Sequence, residues 1–268
     1  MNIKIASNKA KATTRDVIVH AHIFKNAGTT IDWILRHSYG PSFHEDREDR
    51  KMVTEPDYLE ALLENNKSLS AISSHSIPLP LKPIKGINTH VLVMLRHPIL
   101  RVRSVYDFEK KQKAQTLGAI KAKTASFKEY VAWRMRADVP TTIRNMQVRY
   151  LTKNSLPKKE DLSDQYLESA CAFIEKTTLV GFVEKFDQSL LIFKDYLSSL
   201  SLNLELDYEK QNVTSDSSLS TQEKLEMLES ELGGDLFEVL IDKNRLDMAL
   251  YERAIAVVDR RLEETRRK

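Results

Sequence analysis

Two short segments of the sequence combine side chains that bind phosphate groups. The first is HIFKNAGTT, residues 22–30, in which Lys25 precedes Gly28 and a pair of threonines. A helix that begins here offers unpaired backbone N–H groups and about half a positive charge to an anion. Gly28 lets the backbone approach closely, Thr29 and Thr30 can donate hydroxyl hydrogen bonds, and Lys25 adds a mobile charge. The segment therefore predicts a phosphate site.

The residue order in this segment differs from that of a Walker A loop. A Walker A loop ends on its lysine and on the hydroxyl that holds Mg²⁺, whereas here Lys25 comes first and Gly28 later. We therefore predict a phosphate site without a built-in metal ligand, with Asn26 and Ala27 as further contacts in the turn. The alternative is an ordinary strand-to-helix turn with a solvated lysine.

The second segment is LRHPILRVRSVYDF, residues 95–108. Arg96 follows an apolar run that predicts a buried strand, and ligands of open α/β sheets bind at the carboxyl ends of strands. Arg96 can form a bidentate pair with a phosphate, and Ser104, two helical turns further on, can donate its hydroxyl to the same group. Arg101 and Arg103 point to different helix faces, so at most one of them should join. The alternative is an arginine at a helix start followed by surface charges.

The hydropathy pattern around each segment predicts the elements that position these residues. Val17–Ile23 is a β-branched run, and Thr29–Arg36 is an amphipathic helix, which gives a strand, a tight turn and a helix. His90–Leu95 is a continuous apolar run typical of a parallel strand buried on both faces. Pro98–Lys113 follows as a helix that begins on its proline.

The remaining pattern alternates between strands and helices. Further strands are predicted at Ser70–Ser74 and Thr178–Phe182, and helices at Tyr58–Asn65, Phe127–Arg136, Thr142–Leu151, Leu162–Lys176 and Glu184–Leu200, with two more in Thr221–Thr265. Residues 40–49 predict a surface loop, 118–124 a basic linker and 203–220 an irregular segment. The expected fold is α/β: a P-loop-like central parallel sheet flanked by helices, with helical C-terminal additions. Residues 1–268 should form one domain, with 1–15 as a flexible polar N-terminus.

The composition excludes several classes of protein. The 268 residues carry 41 Lys and Arg against 38 Asp and Glu, and this net charge of +3 does not demand a polyanionic partner. Cys171 is the sole cysteine, so the chain can form neither an internal disulfide nor a thiolate metal cluster. The N-terminus lacks the apolar core of a secretory signal, and no stretch approaches the roughly 20 apolar residues that span a bilayer. The expected location is cytoplasmic.

Together, the two segments resemble the nucleotide-binding motifs of the sulfotransferases that use 3′-phosphoadenosine 5′-phosphosulfate (PAPS). The two motifs are most similar to those of the branch that contains the Golgi carbohydrate O-sulfotransferases and related bacterial enzymes. In that branch they read roughly HIPKTAGTS and FRDPVxRxxSxY. In this chain Phe24 and Asn26 replace the usual proline and threonine, and His97 replaces the usual aspartate. NMQVRYL, VGFVEKFDQSL and NRLDMALY are similar to later landmarks of the family, so the resemblance covers about residues 17–255.

The resemblance implies sulfuryl transfer from PAPS to a hydroxyl group without a metal ion. In that family the first motif binds the 5′-phosphosulfate, which assigns it to Gly28–Thr30, and the second binds the 3′-phosphate, which assigns it to Arg96 and Ser104. Lys25 corresponds to the family's lysine that stabilises the leaving oxygen. Such a reaction asks the protein for positioning and charge stabilisation.

A general base must also take the proton of the acceptor hydroxyl. We favour His75, because it follows a predicted strand at a position where some family members carry a catalytic histidine, and a free imidazole has a pKa of about 6.5. The alternative is a structural histidine bonded to a nearby backbone group. His44 and Glu45 are the reserve candidates, since other sulfotransferases use a loop glutamate. His20 and His22 belong to the first strand and are expected to be structural.

The acceptor is the least specified part of the prediction. The family's substrates indicate a carbohydrate or glycoconjugate, such as a saccharide or glycolipid. A basic stretch, whose lysines are Lys110, Lys111, Lys113, Lys121 and Lys123, is either a solvated face or a contact for an acidic acceptor. It lacks the interleaved aromatic residues of a nucleic-acid site. Two other functions stay open: a nucleotide kinase of similar topology and a non-catalytic nucleotide-binding protein.

Overall fold

The computed structural model describes residues 14–154, 162–177, 179–206 and 219–266. The strands are β1 (Arg15–Ala21), β2 (Phe43–Glu45), β3 (Ala71–Ser74), β4 (Ile87–Leu95) and β5 (Leu179–Phe182). The helices are α1 (Gly28–Tyr39), α2 (Asp49–Thr54), α3 (Tyr58–Asn65), α4 (Pro98–Lys111), α5 (Leu117–Thr124), α6 (Phe127–Arg134), α7 (Met146–Leu151), α8 (Asp164–Lys176), α9 (Phe186–Ser198), α10 (Thr221–Leu232), α11 (Gly234–Lys243) and α12 (Arg245–Arg266). Of the N-terminus predicted to be flexible, residues 1–13 lie outside the described residues, whereas Arg15 begins β1. Most of the segment predicted to be irregular also lies outside the described residues.

The five strands form one parallel sheet in the order β2-β3-β1-β4-β5. β1 lies at its centre, and Ala21, at the end of β1, is opposite Ser74 of β3 and Val93 of β4. The carboxyl ends of parallel strands meet at the same edge of the sheet, so the loops after β1, β3 and β4 are neighbours. The prediction of an α/β fold with a central parallel sheet, flanking helices and helical C-terminal additions is confirmed.

Helices cover both faces of this sheet. Val17 and Val19 of β1 pack in a cluster with residues of α3, α8 and α12. Ile18, which points the other way, packs with residues of α1 and α9. A third cluster joins α4, α6, α10 and α11 without any strand residue. Burial on both faces explains why β1 and β4 read as continuous apolar runs.

The strand order opens a crevice at the end of β1. From β1 the chain passes to β2 on one side of the sheet, whereas from its neighbour β4 it passes to β5 on the other side. Because the two connections run to opposite sides of the sheet, a crevice opens between their loops. Open α/β sheets bind ligands at such a switch point. Both predicted phosphate-binding segments begin at this position.

The surface loop predicted for residues 40–49 was wrong in part, because it contains the edge strand β2. Phe43 lies opposite Ala71 of β3, and Glu45 lies opposite Ser73. A strand of three residues is too short to show an alternating pattern in the sequence.

The linker predicted for residues 118–124 was also wrong, because these residues form most of α5. The Thr116 hydroxyl caps this helix by accepting a hydrogen bond from the Ala119 backbone N–H. Ala119 and Ala122 are buried against the neighbouring helices, while Lys123 is exposed. Small buried residues carry little hydropathy signal, and the lysines therefore dominated the pattern.

The two helices predicted for the C-terminal region are three. The predicted break at Gly233 is confirmed, and a second break follows at Asn244, between α11 and α12. The side-chain amide of Asn244 is buried and donates to the carbonyl oxygens of Ile143 and Leu240. Among the residues that the structure describes, no helix has both the length and the apolar composition needed to cross a membrane.

Candidate functional site

A cavity of about 840 Å³ lies at the carboxyl ends of β1, β3 and β4. Both predicted segments line it, the first through Lys25, Ala27, Gly28, Thr29 and Thr30, and the second through Arg96, Arg103, Ser104, Asp107 and Phe108. His22 and His75 lie on its wall, and Thr221 and Lys224 border it from α10. The two segments, about 70 residues apart in the chain, thus form one site.

The loop between β1 and α1 has an unusual backbone. Lys25 and Ala27 are both in the left-handed region, with φ of 64° and 60°, which costs energy for residues that carry a Cβ atom. The carbonyl oxygen of Ala27 accepts from the N–H groups of Thr30 and Ile31, which starts α1. The N–H groups of Ala27, Gly28 and Thr29 have no backbone acceptor among the described residues. An anion in the cavity would meet these free donors.

Gly28 is required here for a reason that the sequence did not reveal. A Cβ atom on this residue would lie 2.1 Å from Cδ2 and 2.2 Å from Nε2 of His22. The glycine therefore makes room for a buried imidazole beside the helix N-terminus, in addition to exposing its own backbone to the cavity.

Lys25 is half-buried in the cavity. Its Nζ atom lies 4.7 Å from the centre of the Phe108 ring, a cation–π distance. Burial lowers the pKa of Lys25, and the positive charge of Arg96 lowers it further, while Asp107 opposes them. A bound anion would stabilise the charged form of this amine, which burial and the neighbouring cation disfavour.

Arg96 reaches the same loop from the end of β4. Its Nη1 atom donates to the carbonyl oxygen of Lys25 at 3.3 Å, and its Nε–H is buried without a partner. Ser104 lies on the cavity wall as predicted. Arg101 and Arg103 point to different faces, also as predicted: Arg103 lines the cavity and pairs with Glu231 of α10.

Arg101 holds the first loop from behind. Its buried guanidinium donates to the carbonyl oxygen of Phe24 at 3.0 Å and twice to that of Thr142. Burial lowers the pKa of Arg101 to about 10, so the group stays a cation at neutral pH. The carbonyl of Phe24 is thereby fixed at the entry of the loop between β1 and α1.

Asn26 does not line the cavity, although the sequence predicted it as a cofactor contact. Its side chain is buried behind the loop and donates to the carbonyl oxygen of Met94 at 2.8 Å and to Oε1 of Gln147 at 2.7 Å. The two left-handed residues on either side of Asn26 turn it inward. Its position connects the loop to β4 and α7.

His75 follows β3 immediately, as predicted, and is half-buried on the cavity wall. Its Nδ1 atom lies 3.0 Å from the carbonyl oxygen of His22, so Nδ1 carries the proton and the lone pair of the neutral ring is on Nε2. The rings of His75 and His22 are 4.0 Å apart, centre to centre. The hydrogen bond to a nearby backbone group that we considered as a structural alternative is thus present in a residue that also faces the cavity.

Asp32 of α1 holds the two histidines of β1. Its carboxylate oxygens accept from Nδ1 of His20 and from Nδ1 of His22, both at 2.8 Å. Burial opposes the ionisation of Asp32, but the two imidazoles outweigh it and hold its pKa well below the usual range. Burial lowers the pKa of His22, which keeps this ring neutral.

The nitrogen and oxygen atoms of His20, His22 and Asp32 lie within 4.8 Å of one another, close enough for a metal ion. A metal bound at either Nδ1 would move the ring proton to Nε2. In His20 that atom is buried without any acceptor, whereas metal-bound histidines donate their second N–H to a partner. The residues therefore fit a hydrogen-bonded cluster better than a metal centre.

The reserve candidates His44 and Glu45 belong to β2 and do not line the cavity. Glu45 forms ion pairs with Arg36 and Arg47. Arg47, which the sequence analysis did not single out, lines the cavity and lies 3.5 Å from Asp32. Asp107 and Glu184 also line the cavity and were not predicted as site residues. A single charged residue in a helix or loop belongs to no recognisable motif.

No sequence-family model matches this chain. The chain is 26% identical over 248 residues to an uncharacterized protein of Archaeoglobus fulgidus, which covers 90% of this chain and 96% of that protein. The similarity extends over nearly the full length of both proteins, and the name of the relative states no activity.

The steric role of Gly28 is open to a direct test. Gly28→Ala should lower the free energy of unfolding by about 1–3 kcal/mol, the usual cost of overpacking, because the new methyl group displaces the His22 ring. Gly234→Ala is the control, since a Cβ atom there meets nothing within 4 Å. Urea denaturation of both variants makes the comparison, and equal stabilities would contradict the close packing of His22.

Proposed function

We propose that this protein is a sulfotransferase that moves a sulfuryl group from PAPS to a hydroxyl group of an acceptor. The observation that carries the proposal is that Lys25, Arg96 and Ser104 line one cavity together with the free N-terminus of α1. The two motifs resemble those that bind the two phosphate groups of PAPS, and the two segments that carry them lie side by side at a switch point of the sheet, which supports the proposal.

The residues present fit this donor. The N–H groups at the start of α1 have no backbone acceptor, and PAPS offers phosphate oxygens to them. The guanidinium of Arg96, on the cavity wall, adds a positive charge for a second phosphate. The volume of about 840 Å³ is in the range of nucleotide-sized pockets. The residues Gly28–Thr30 would hold the 5′-phosphosulfate, while Arg96 and Ser104 would hold the 3′-phosphate. The proposed reaction needs no metal ion.

The chemistry divides between Lys25 and His75. The acceptor oxygen forms a bond to sulfur as the bond from sulfur to the bridging oxygen of the 5′-phosphate breaks, and that oxygen keeps the electron pair. Lys25 stabilises the negative charge that develops on it. His75 takes the acceptor proton on Nε2, the atom that its hydrogen bond to His22 leaves unprotonated. The products are a sulfate ester and adenosine 3′,5′-bisphosphate.

The proposed acceptor is a carbohydrate or glycoconjugate. This part of the proposal rests on the resemblance of the motifs to those of the carbohydrate sulfotransferases. Arg47 adds a positive charge to the part of the wall that includes His22 and His75.

The function is tested by comparing ligands and then by transfer. Adenosine 3′,5′-bisphosphate should raise the melting temperature of the protein more than ADP or ATP with Mg²⁺ at equal concentration, because only the former presents a 3′-phosphate to Arg96. Stronger stabilisation by ATP would favour the kinase alternative. Transfer of labelled sulfate from PAPS to a panel of saccharide and glycolipid acceptors then tests catalysis, and binding without any transfer would favour a non-catalytic nucleotide-binding protein.

Lys25→Ala should lower kcat far more than it weakens binding of the donor. The lysine charge matters most as the leaving oxygen becomes negative, which is a difference between ground state and transition state. Steady-state kinetics of this variant and of Lys194→Ala, an exposed lysine of α9, make the comparison. A loss confined to KM would remove Lys25 from the chemistry.

Arg96→Ala and Ser104→Ala should weaken binding of adenosine 3′,5′-bisphosphate and spare binding of adenosine 5′-phosphate. A charged hydrogen bond contributes about 1.5–3 kcal/mol, so the arginine change should cost at least about tenfold in Kd. Titration calorimetry measures both ligands, with Arg245→Ala on the surface as the charge control. Variants that discriminate the two ligands as well as the wild type would place the 3′-phosphate elsewhere.

His75→Ala should bind the nucleotide normally and lose roughly 10²–10⁴-fold in transfer rate, the usual contribution of a general base. The acidic limb of the profile of kcat/KM against pH should disappear with it. A histidine with only a structural role would instead lower the melting temperature and leave the pH profile unchanged, so both quantities are measured on the same variant.

A further inference from the structure

The buried side chain of Gln147, on α7, connects the two phosphate loops from behind. Its Oε1 atom accepts from Nδ2 of Asn26 at 2.7 Å and from the backbone N–H of Arg96 at 3.0 Å. Its Nε2 atom donates to the backbone carbonyl of Arg96 at 2.9 Å. The reversed orientation of the amide would set two N–H donors against each other, so the bonding partners fix the assignment.

Gln147 is itself held firmly. Its backbone N–H and that of Val148 donate to the two carboxylate oxygens of Asp247, at 2.9 and 2.8 Å. The N–H groups in the first turn of a helix have no acceptor within the helix, and here a buried aspartate of α12 supplies it. Gln147 and Asp247 are almost fully inaccessible to solvent. The amide therefore joins the two loops through a rigid support.

No residue of this support lines the cavity. The support does contact Asn26, one residue after Lys25, and both backbone groups of Arg96, and so bridges the two loops that carry Lys25 and the guanidinium of Arg96. A displacement of about 1 Å between reacting groups can cost about 10²-fold in rate. The spacing between the 5′- and 3′-phosphates of a nucleotide is fixed by its ribose, so the two loops must keep one matching separation.

We propose that Gln147 is a positioning residue that holds the Lys25 loop and the Arg96 loop at a fixed separation. That separation matches a donor with phosphate groups at the 3′ and 5′ positions of one ribose. This inference rests on the proposed function. It assigns to Gln147 the coupling of the two phosphate sites, and to Asn26 the role of a link in that coupling in place of a ligand contact.

The test uses a substitution of nearly equal volume. Gln147→Met removes all three hydrogen bonds of the amide and keeps an unbranched side chain of similar size. Thr152→Val is the matched control, because it removes a buried hydrogen bond to Val148 just past the same helix without touching either loop. Melting temperatures of both variants are measured first, so that loss of stability is separated from loss of positioning.

Gln147→Met should raise the Kd for adenosine 3′,5′-bisphosphate by about tenfold, as expected for unsatisfied buried partners, and should also lower kcat. Thr152→Val should change both by less than about twofold. Asn26→Ala removes the same link from its other end and also the hydrogen bond to the Met94 carbonyl, so it should weaken nucleotide binding as well. The loss in the double variant should be smaller than the sum of the two single losses, because both substitutions remove one shared hydrogen bond. Should Gln147→Met not fold, Asn26→Ala carries the test against the same control.

Gln147→Met or Asn26→Ala variants that bind and turn over like the wild type would overturn the positioning role, and so would equal effects in Thr152→Val. Wild-type protein that does not bind adenosine 3′,5′-bisphosphate would instead overturn the proposed function, and this inference with it. The two failures are therefore distinguishable in one titration series.

Discussion

The parallel pairing of β1 with β4 is the constraint on which the site depends. Seven residues of β1, from Arg15 to Ala21, lie opposite Ile87 to Val93 in continuous register. This register brings the loop after β1 and the loop after β4 to the same edge of the sheet. A slip of one residue would turn every side chain of β1 to the opposite face and would move Lys25 relative to Arg96. The apolar residues buried on both faces of β1 prevent such a slip.

Behind this edge of the sheet, buried polar side chains fix the positions of the loops through directional hydrogen bonds, which apolar packing does not provide. Arg101, Asn26 and Gln147 donate to or accept from backbone groups in β4 and in the loops after β1 and β4. Asp32 orders the histidines of β1 in the same way. Each of these groups gives up hydration when buried, and its hydrogen bonds offset part of that cost. Buried polar groups with specific partners hold the loops after β1 and β4 in one arrangement.

Local chemistry in the sequence singled out several of the residues that line the cavity. Lys25, Gly28, Arg96, Ser104 and His75 all lie on the wall, because their positions follow from a strand, a turn and a helix that are each encoded within a few residues. The fold class was predictable for the same reason. The apolar runs of β1 and β4 are long enough to identify parallel strands buried on both faces.

The supporting residues could not be predicted, because their partners are distant in the chain. Asn26 and Gln147 are separated by 121 positions, and Gln147 and Asp247 by 100. The direction of the Asn26 side chain depends on two left-handed residues that carry no glycine signal. His22 stands beside Gly28 only because α1 packs back on β1. Short elements, such as β2, were missed because three residues show no period.

A crystal structure of the protein with adenosine 3′,5′-bisphosphate tests the central claim most directly. The account predicts the 5′-phosphate at the N-terminus of α1, within hydrogen-bond distance of the backbone N–H groups of Gly28 and Thr29 and near Lys25. The 3′-phosphate should contact the guanidinium of Arg96 and the hydroxyl of Ser104. Density for the nucleotide outside this cavity, or with only one phosphate on these residues, would contradict the two-site account.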